Sequence, residues 1–264
     1  MQSMNVARPI TVRGEAIAGG RVPAICTPLV GRTADAILAE LATVLRKSPD
    51  VIEWRVDHFA GIADTGAVID VARRIKLQAP RTPLVFTRRS EREGGARTSL
   101  ADDPPIGLYE AVCAARCIDL VDWEIANGPA SMARVRDVAR AHDVALIASY
   151  HDFRTTPERS VIIATFAEAA RDGADVAKVA VMPNDAGDVL TLLDATWEAH
   201  RSLAIPLISM AMGPLGALTR IAGAAFGSAL TFAVGAASSA PGQLAIDDLR
   251  ATLDILRREG SGIA

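Results

Sequence analysis

The chain has three lysines, Lys47, Lys76 and Lys178, and one of them lies where an amine can act as a nucleophile. Lys178 is in the middle of residues 175–183, DVAKVAVMP. This run of β-branched and small apolar residues, closed by proline, reads as a buried strand. Lys47 and Lys76 fall in polar-punctuated helical stretches, LRKSPD and ARRIKLQ, and read as solvated surface charges. An ammonium alone in a low-dielectric strand loses its hydration, which favours the neutral amine. A neutral amine attacks carbonyls, so the position suits Schiff-base chemistry. The competing reading is a lysine neutralised by a buried carboxylate for structural reasons alone.

A Schiff base creates an electron sink, because the iminium acidifies the carbon next to the former carbonyl. His151, in SYHDF, has the side chain to take that proton and return it. Glu53, in VIEWRVD, can fix an imidazole's tautomer and orientation. Aldol cleavage, transamination-like exchange and β-elimination of water all fit these residue types, which do not choose between them.

These residues need elements to hold them. Residues 9–25 read as a hairpin strand leading into a first core strand, 22–30. Thr33 caps a helix with apolar residues at 3–4 spacing. Strand-like runs then recur at 51–57, 83–89, 120–126, 144–153, around Lys178, at 203–212 and at 228–235, with helical stretches between them. Strand followed by helix about eight times is the pattern of a parallel sheet with crossover helices, most simply an α/β (β/α)8 TIM barrel with a short N-terminal β-hairpin. No linker divides the sequence, so a single barrel catalytic domain over 1–264 is expected. An open doubly wound sheet is the runner-up, but TPLVGRT follows the first strand where a dinucleotide fold has G-x-G-x-x-G.

In a barrel, sites form at the C-terminal strand ends. Those ends carry Glu53, Arg55 and Asp57, then Arg89, Glu124, His151, Lys178, Met210 and Met212, with Ser239 and Gln243 on the last loop. Unpaired polar groups on buried strands cost about 1–3 kcal/mol each. Their convergence on one rim suits a small, anionic, oxygen-rich molecule held by arginine clamps. Each also has a plainer reading. Glu53 and Arg55 can be a lumen ion pair, His151 a satisfied core histidine, and the methionines core packing. Arg88, Arg92 and Arg97 read as solvated loop charges, and Asp57, His58 and Asp152 as structural. Arg220 can anchor a substrate carboxylate or a helix C-terminus.

Composition narrows the field. Half of the 264 residues are hydrophobic, charged residues are 22% and the net charge is -3. Nothing there points to nucleic acid or a membrane surface. Residues 1–10, MQSMNVARPI, lack an apolar signal core, so a cytoplasmic location is expected. Cys26, Cys113 and Cys117 match no disulfide or zinc pattern and read as packing. The four histidines lack metal-site spacing, so no metal is expected.

Six segments, EWRVDHF (53–59), FTRRSEREGG (86–95), SYHDF (149–153), KVAVMP (178–183), GPLGALTRIAG (213–223) and SAPGQ (239–243), appear in an order and spacing that resembles type I 3-dehydroquinate dehydratase of the shikimate pathway. The resemblance runs from about residue 10 to 257. It implies a (β/α)8 barrel, usually a homodimer, without metal or cofactor. It also implies a hydro-lyase that converts 3-dehydroquinate to 3-dehydroshikimate by syn elimination through an imine. Carried over, Lys178 forms the imine, and His151 takes the C2 proton and helps water leave from C1. Glu53 orients His151. Arg55 and Arg89 contact ring hydroxyls, and Arg220 grips the carboxylate. Ser239 and Gln243, on a loop that can close, bind hydroxyl and carboxylate oxygens, while Met210 and Met212 wall the pocket. Glu93 matches a loop acid of the family without a defined role. Some relatives have TFRS where this chain has TRRS. Parity with Thr87 selects Arg89 over Arg88 as the site arginine. The CTPLVGR segment departs from a serine-containing version and is assigned no binding residue. Two alternatives stand beside this reading: another Schiff-base lysine barrel of the class I aldolase or transaldolase kind, and a catalytically silent ligand-binding barrel.

Overall fold

A computed structural model describes residues 7–98, 100 and 105–259. The signal-peptide reading therefore falls partly on residues outside this set (1–6). The polar, Gly/Pro-rich stretch 90–105, SEREGGARTSLADDPP, reads as a mobile loop after a strand, and this expectation also falls partly outside the set, at residues 99 and 101–104.

Along each core strand the two side-chain parities go to different places. The strands are β3 (Ala24–Leu29), β4 (Val51–Arg55), β5 (Leu84–Thr87), β6 (Leu120–Glu124), β7 (Ala145–Asp152), β8 (Val176–Val181), β9 (Leu207–Ala211) and β10 (Leu230–Val234). One parity, including Trp54, Phe86, Trp123, Leu146 and Val179, packs outward against the helices. The other, including Val51, Val85, Leu120, Ile147, Val176 and Ile208, packs into the lumen. The outer helices are α1 (Ala34–Leu45), α2 (Thr65–Gln78), α3 (Ile106–Ala114), α4 (Pro129–Ala141), α5 (Arg159–Arg171), α6 (Ala186–Ser202), α7 (Ala217–Ala222) and α8 (Ile246–Glu259). Thr33, Asp64 and Asp185 cap α1, α2 and α6 with their side chains.

Strands β3 to β9 pair in chain order, all parallel, and β10 pairs with β3. Ala229 N–H donates to the Leu207 carbonyl at 2.8 Å, which brings the start of β10 against β9 and closes the ring. This is the expected (β/α)8 barrel. The expected hairpin is also present: β1 (Ala7–Val12) pairs antiparallel with β2 (Glu15–Gly20) around Arg13 and Gly14, both at positive φ. Its Ala7, Ile10 and Val12 join the lumen cluster and floor the barrel. A two-residue strand, β11 (Leu244–Ala245), extends the sheet beside β10.

Several strands stop short of their expected bounds. Residues 56–58 and 125–127 curl into 3-10 turns that take the last two residues of the expected strands 51–57 and 120–126, and Arg88 and Arg89 lie beyond β5. The cause at 56–58 is a side chain: Asp57 turns back to bind Arg55. Lys76 also differs from its reading. It is paired with Asp119 at 2.7 Å rather than simply solvated. Among the described residues, no helix is long and apolar enough to cross a membrane.

Candidate active site

Above the apolar floor, the next lumen-facing residues are polar on most of the strands β4 to β8. They are Glu53 and Arg55, Thr87, Asp122 and Glu124, Ser149 and His151, and Lys178, with Arg89 just past β5. Of these, Glu53, Arg55, Arg89, His151 and Lys178 line a pocket at this end of the barrel. All ten residues singled out from the sequence line it: Glu53, Arg55, Arg89, His151, Lys178, Met210, Met212, Arg220, Ser239 and Gln243.

Lys178 is buried but not alone, contrary to the sequence reading. Its Nζ is 2.9 Å from Asp122 Oδ2 and 3.6 Å from Glu53 Oε1. It also stands 4.7 Å over the Phe232 ring. Asp122 was not anticipated. It also accepts from Arg89 Nη2 at 2.7 Å and from Ser149 Oγ at 2.6 Å. Burial alone would raise its pKa, but Arg89 and then Lys178 outweigh burial and hold Asp122 well below the usual carboxylate range. Arg89 further donates to Glu124 and Ser149.

The acid on the imidazole is Glu93, not Glu53 as expected. His151 Nδ1 is 2.9 Å from Glu93 Oε2. Glu53 instead accepts from Thr87 Oγ1 at 2.9 Å and faces Lys178. Burial, then Arg89 and Lys178, push His151 well below its ordinary value. Burial also pushes Glu93 up to about 8, against the pull of Arg89 and with repulsion from Glu124 and Asp122. Both shifts favour the uncharged forms of the imidazole and of Glu93. Gly94 and Gly95 make this contact possible. Gly94 has φ +79, and a Cβ on Gly95 would meet the Arg89 carbonyl oxygen at 2.0 Å.

The remaining cations differ in their partners. Arg55 is held bidentate by Asp57, both bonds 2.8 Å. Arg220 is 1% exposed, and its charge meets only the Phe232 and Pro241 carbonyls and Met210 sulfur. Among the described residues no carboxylate lies within ion-pair distance of it, and burial lowers its pKa to about 10. A buried cation without an anion is a place for one to bind. Above it, Ser239 and Gln243 bond to each other. Gly213 N–H donates to the Pro241 carbonyl, and Gly242, at φ +74, has no room for a Cβ against Gly213. The 236–243 loop thus lies down over the site. Arg92 and Arg97 are exposed as read, but Arg88 is half-buried and its backbone N–H bonds Tyr109.

The sequence model of the type I 3-dehydroquinases matches residues 25–259. The chain belongs to that family. It is 55% identical over 255 residues to the 3-dehydroquinate dehydratase of Albidiferax ferrireducens, covering 97% of each chain. The 3-dehydroquinate dehydratase structure from Geobacillus kaustophilus is 49% identical with a TM-score of 0.92, covering 95% of this chain and 97% of that one. The type I enzyme from Clostridium difficile is 34% identical with a TM-score of 0.89, covering 96% and 98%. As a type I 3-dehydroquinase the protein is a hydro-lyase, and the aldolase-like and silent-barrel alternatives give way.

In this dehydroquinase the residue that sequence reasoning missed carried a signal. Asp122 shares strand parity with Glu124, which was noticed, just as Glu53 does with Arg55. The parity rule that selected Arg89 would have selected Asp122. The Glu93 contact had no such signal, because it depends on how the 90–95 turn folds back over the rim.

Proposed function

We propose that the protein dehydrates 3-dehydroquinate through an imine on Lys178. The observation that carries this reading is Lys178 Nζ, buried beside Asp122 in the cavity it shares with His151 and Arg220. The substrate carboxylate pairs with Arg220, and Ser239 and Gln243 close over it. Arg55 and Arg89 meet the ring hydroxyls, and Met210 and Met212 form a wall. Lys178, after losing a proton, adds through its lone pair to the ketone carbon. The carbinolamine loses water and leaves an iminium, with Asp122 as its counter-ion. His151 Nε2 takes the proton from C2, and the C–H pair flows toward the iminium nitrogen. The C1 hydroxyl leaves with a proton from His151, so one water departs. A second water cleaves the conjugated imine, releasing 3-dehydroshikimate and free Lys178. Glu53 keeps Lys178 and Thr87 in place. Glu93 is the group that orients His151. The Clostridium difficile enzyme was solved with covalent modified comenic acid, which supports a site that bonds its ligand.

Borohydride with 3-dehydroquinate tests this directly. It should fix a mass on the Lys178 peptide, while untreated enzyme produces a conjugated enone seen in the ultraviolet. Label on Lys47 or Lys76, or no enone, would defeat the reading.

Two further outcomes follow. Because His151 is held below the ordinary imidazole value, the rate of the elimination step, measured after the imine has formed, should be level from pH 8 to about 6.5. It should fall at lower pH as the base is protonated. An elimination step already slowing between pH 8 and 7 would contradict an uncharged His151. Arg220→Ala should raise KM by about 30-fold or more, the loss of a buried charge-assisted pair. kcat should change far less. An unchanged KM would remove Arg220 as the carboxylate anchor. The setting we propose is a cytoplasmic homodimer. Light scattering should read twice the 27.7 kDa chain mass, and a reading at the chain mass would reject the dimer.

A further inference from the structure

Between β5 and β6 a hydroxyl from the helix layer takes over where backbone pairing stops. The β5–β6 pairing ends at Thr87 and Asp122, whereas β6 stays paired with β7 through Glu124. At the point of separation Tyr109, from α3, accepts from Arg88 N–H at 3.0 Å and donates to the Asp122 carbonyl at 2.8 Å. Its ring is held edge-on by Phe86 and Trp123, with centroids 5.3 and 4.8 Å away. Phe86 and Trp123 are the chain neighbours of Thr87 and Asp122. The same two strand tips therefore grip the tyrosine on the outside and present site groups on the inside.

Two hydrogen bonds in series span a wider gap than a single one of about 2.9 Å. The strand tips are splayed by the inserted oxygen, and the guanidinium of Arg89 fills the lumen side of the splay. There its Nη2 meets Asp122 Oδ1 at 2.7 Å, while Asp122 Oδ2 holds Lys178 Nζ at 2.9 Å.

We propose that Tyr109 is a positioning residue for the imine-forming lysine. Its hydroxyl, wedged between the ends of β5 and β6, sets the spacing at which Arg89 and Asp122 meet and so the place where Asp122 holds Nζ. The proposal rests on the function proposed above. The hydroxyl touches no reacting atom; it acts through Asp122 and Arg89. Without it, the Arg88 N–H and Asp122 carbonyl are left unpaired in a dry setting, and they gain by closing on each other. That closure displaces Arg89 and swings Asp122.

The test is Tyr109→Phe in the full chain, with competent sites counted by borohydride trapping of 3-dehydroquinate. Per trapped site, kcat should fall about ten-fold, the scale of a sub-ångström to 1 Å misplacement. KM should change less than kcat, because Arg89 shifts from the ring hydroxyls while Arg220 and the 239–243 loop, which hold the carboxylate, stay in place. A purely structural tyrosine would lower the melting temperature and the number of trapped sites and leave kcat per site unchanged; that result overturns the proposal. Should Tyr109→Phe not fold, 3-fluorotyrosine can replace Tyr109 in a Tyr150→Phe background, since the chain has two tyrosines. The ring and hydroxyl remain, but the oxygen accepts more weakly. A kcat per site at least about two-fold lower supports the proposal, and an unchanged value overturns it. Wild-type enzyme without label on Lys178 overturns both this and the function it rests on. Labelled wild type with an unaltered variant overturns only the role of Tyr109.

Discussion

On the proposed imine route Lys178→Met should lose about 10⁵-fold or more in turnover of 3-dehydroquinate, because the covalent step needs that amine. At 1.36 kcal/mol per factor of ten that is about 7 kcal/mol of barrier. Methionine keeps most of the stem volume, so the packing around Phe232 and Ala180 is retained. The charge is not. Asp122 keeps Arg89, but Glu53 faces a carboxylate with no cation between them. Stability should drop by up to about 3–5 kcal/mol, the usual cost of breaking a buried pair. Thermal melting must therefore accompany the assay. A folded Lys178→Met protein with more than about one per cent of wild-type turnover, or one that still gains mass on borohydride treatment, would end the imine mechanism.

His151→Ala should lose about 10²–10⁴-fold in kcat, the range of a positioned general acid–base. The informative part is what survives. Lys178, Asp122 and Glu53 are untouched, so the imine should still form, and borohydride should still label the Lys178 peptide. Activity and labelling then part company: the lysine variant loses both, the histidine variant only the first. The imidazole is buried against Glu93, so its removal leaves Glu93 with Arg89, whose Nη1 is 3.6 Å from Glu93 Oε2, as its remaining charged neighbour. A loss under about ten-fold would show that C2 is deprotonated by something else.

Much of this site was legible in the sequence because a strand's period of two is unambiguous. Once Lys178 is placed in a buried strand, residues 176 and 180 must share its side, and the same rule sorts Glu53 from Trp54 and Thr87 from Phe86. The barrel followed from the repeat of strand and helix. The rest escaped for physical reasons. Charges do not carry their partners' names, so Lys178 read as solitary when two carboxylates face it. Contacts made by turns, such as Glu93 on His151, depend on φ values that only Gly94 and Gly95 hint at. Asp57 seemed to continue a strand, whereas its bidentate hold on Arg55 ends it. Tyr109 falls in a helical stretch, IGLYEAVCAARC, and its hydroxyl's partners, Arg88 and Asp122, come from two segments on either side of it in the chain.

The hairpin under the barrel has a consequence for traffic. Ala7, Ile10 and Val12 cork the lumen from beneath, on a bed of Val51, Val85 and Ile208. On the proposed imine route two waters leave, one as the imine forms and one on elimination, and one is taken up to release the product; all must share the doorway that admits the ring. Departure and hydrolysis on that route are thus bound to a queue past Ser239 and Gln243, which line the same pocket.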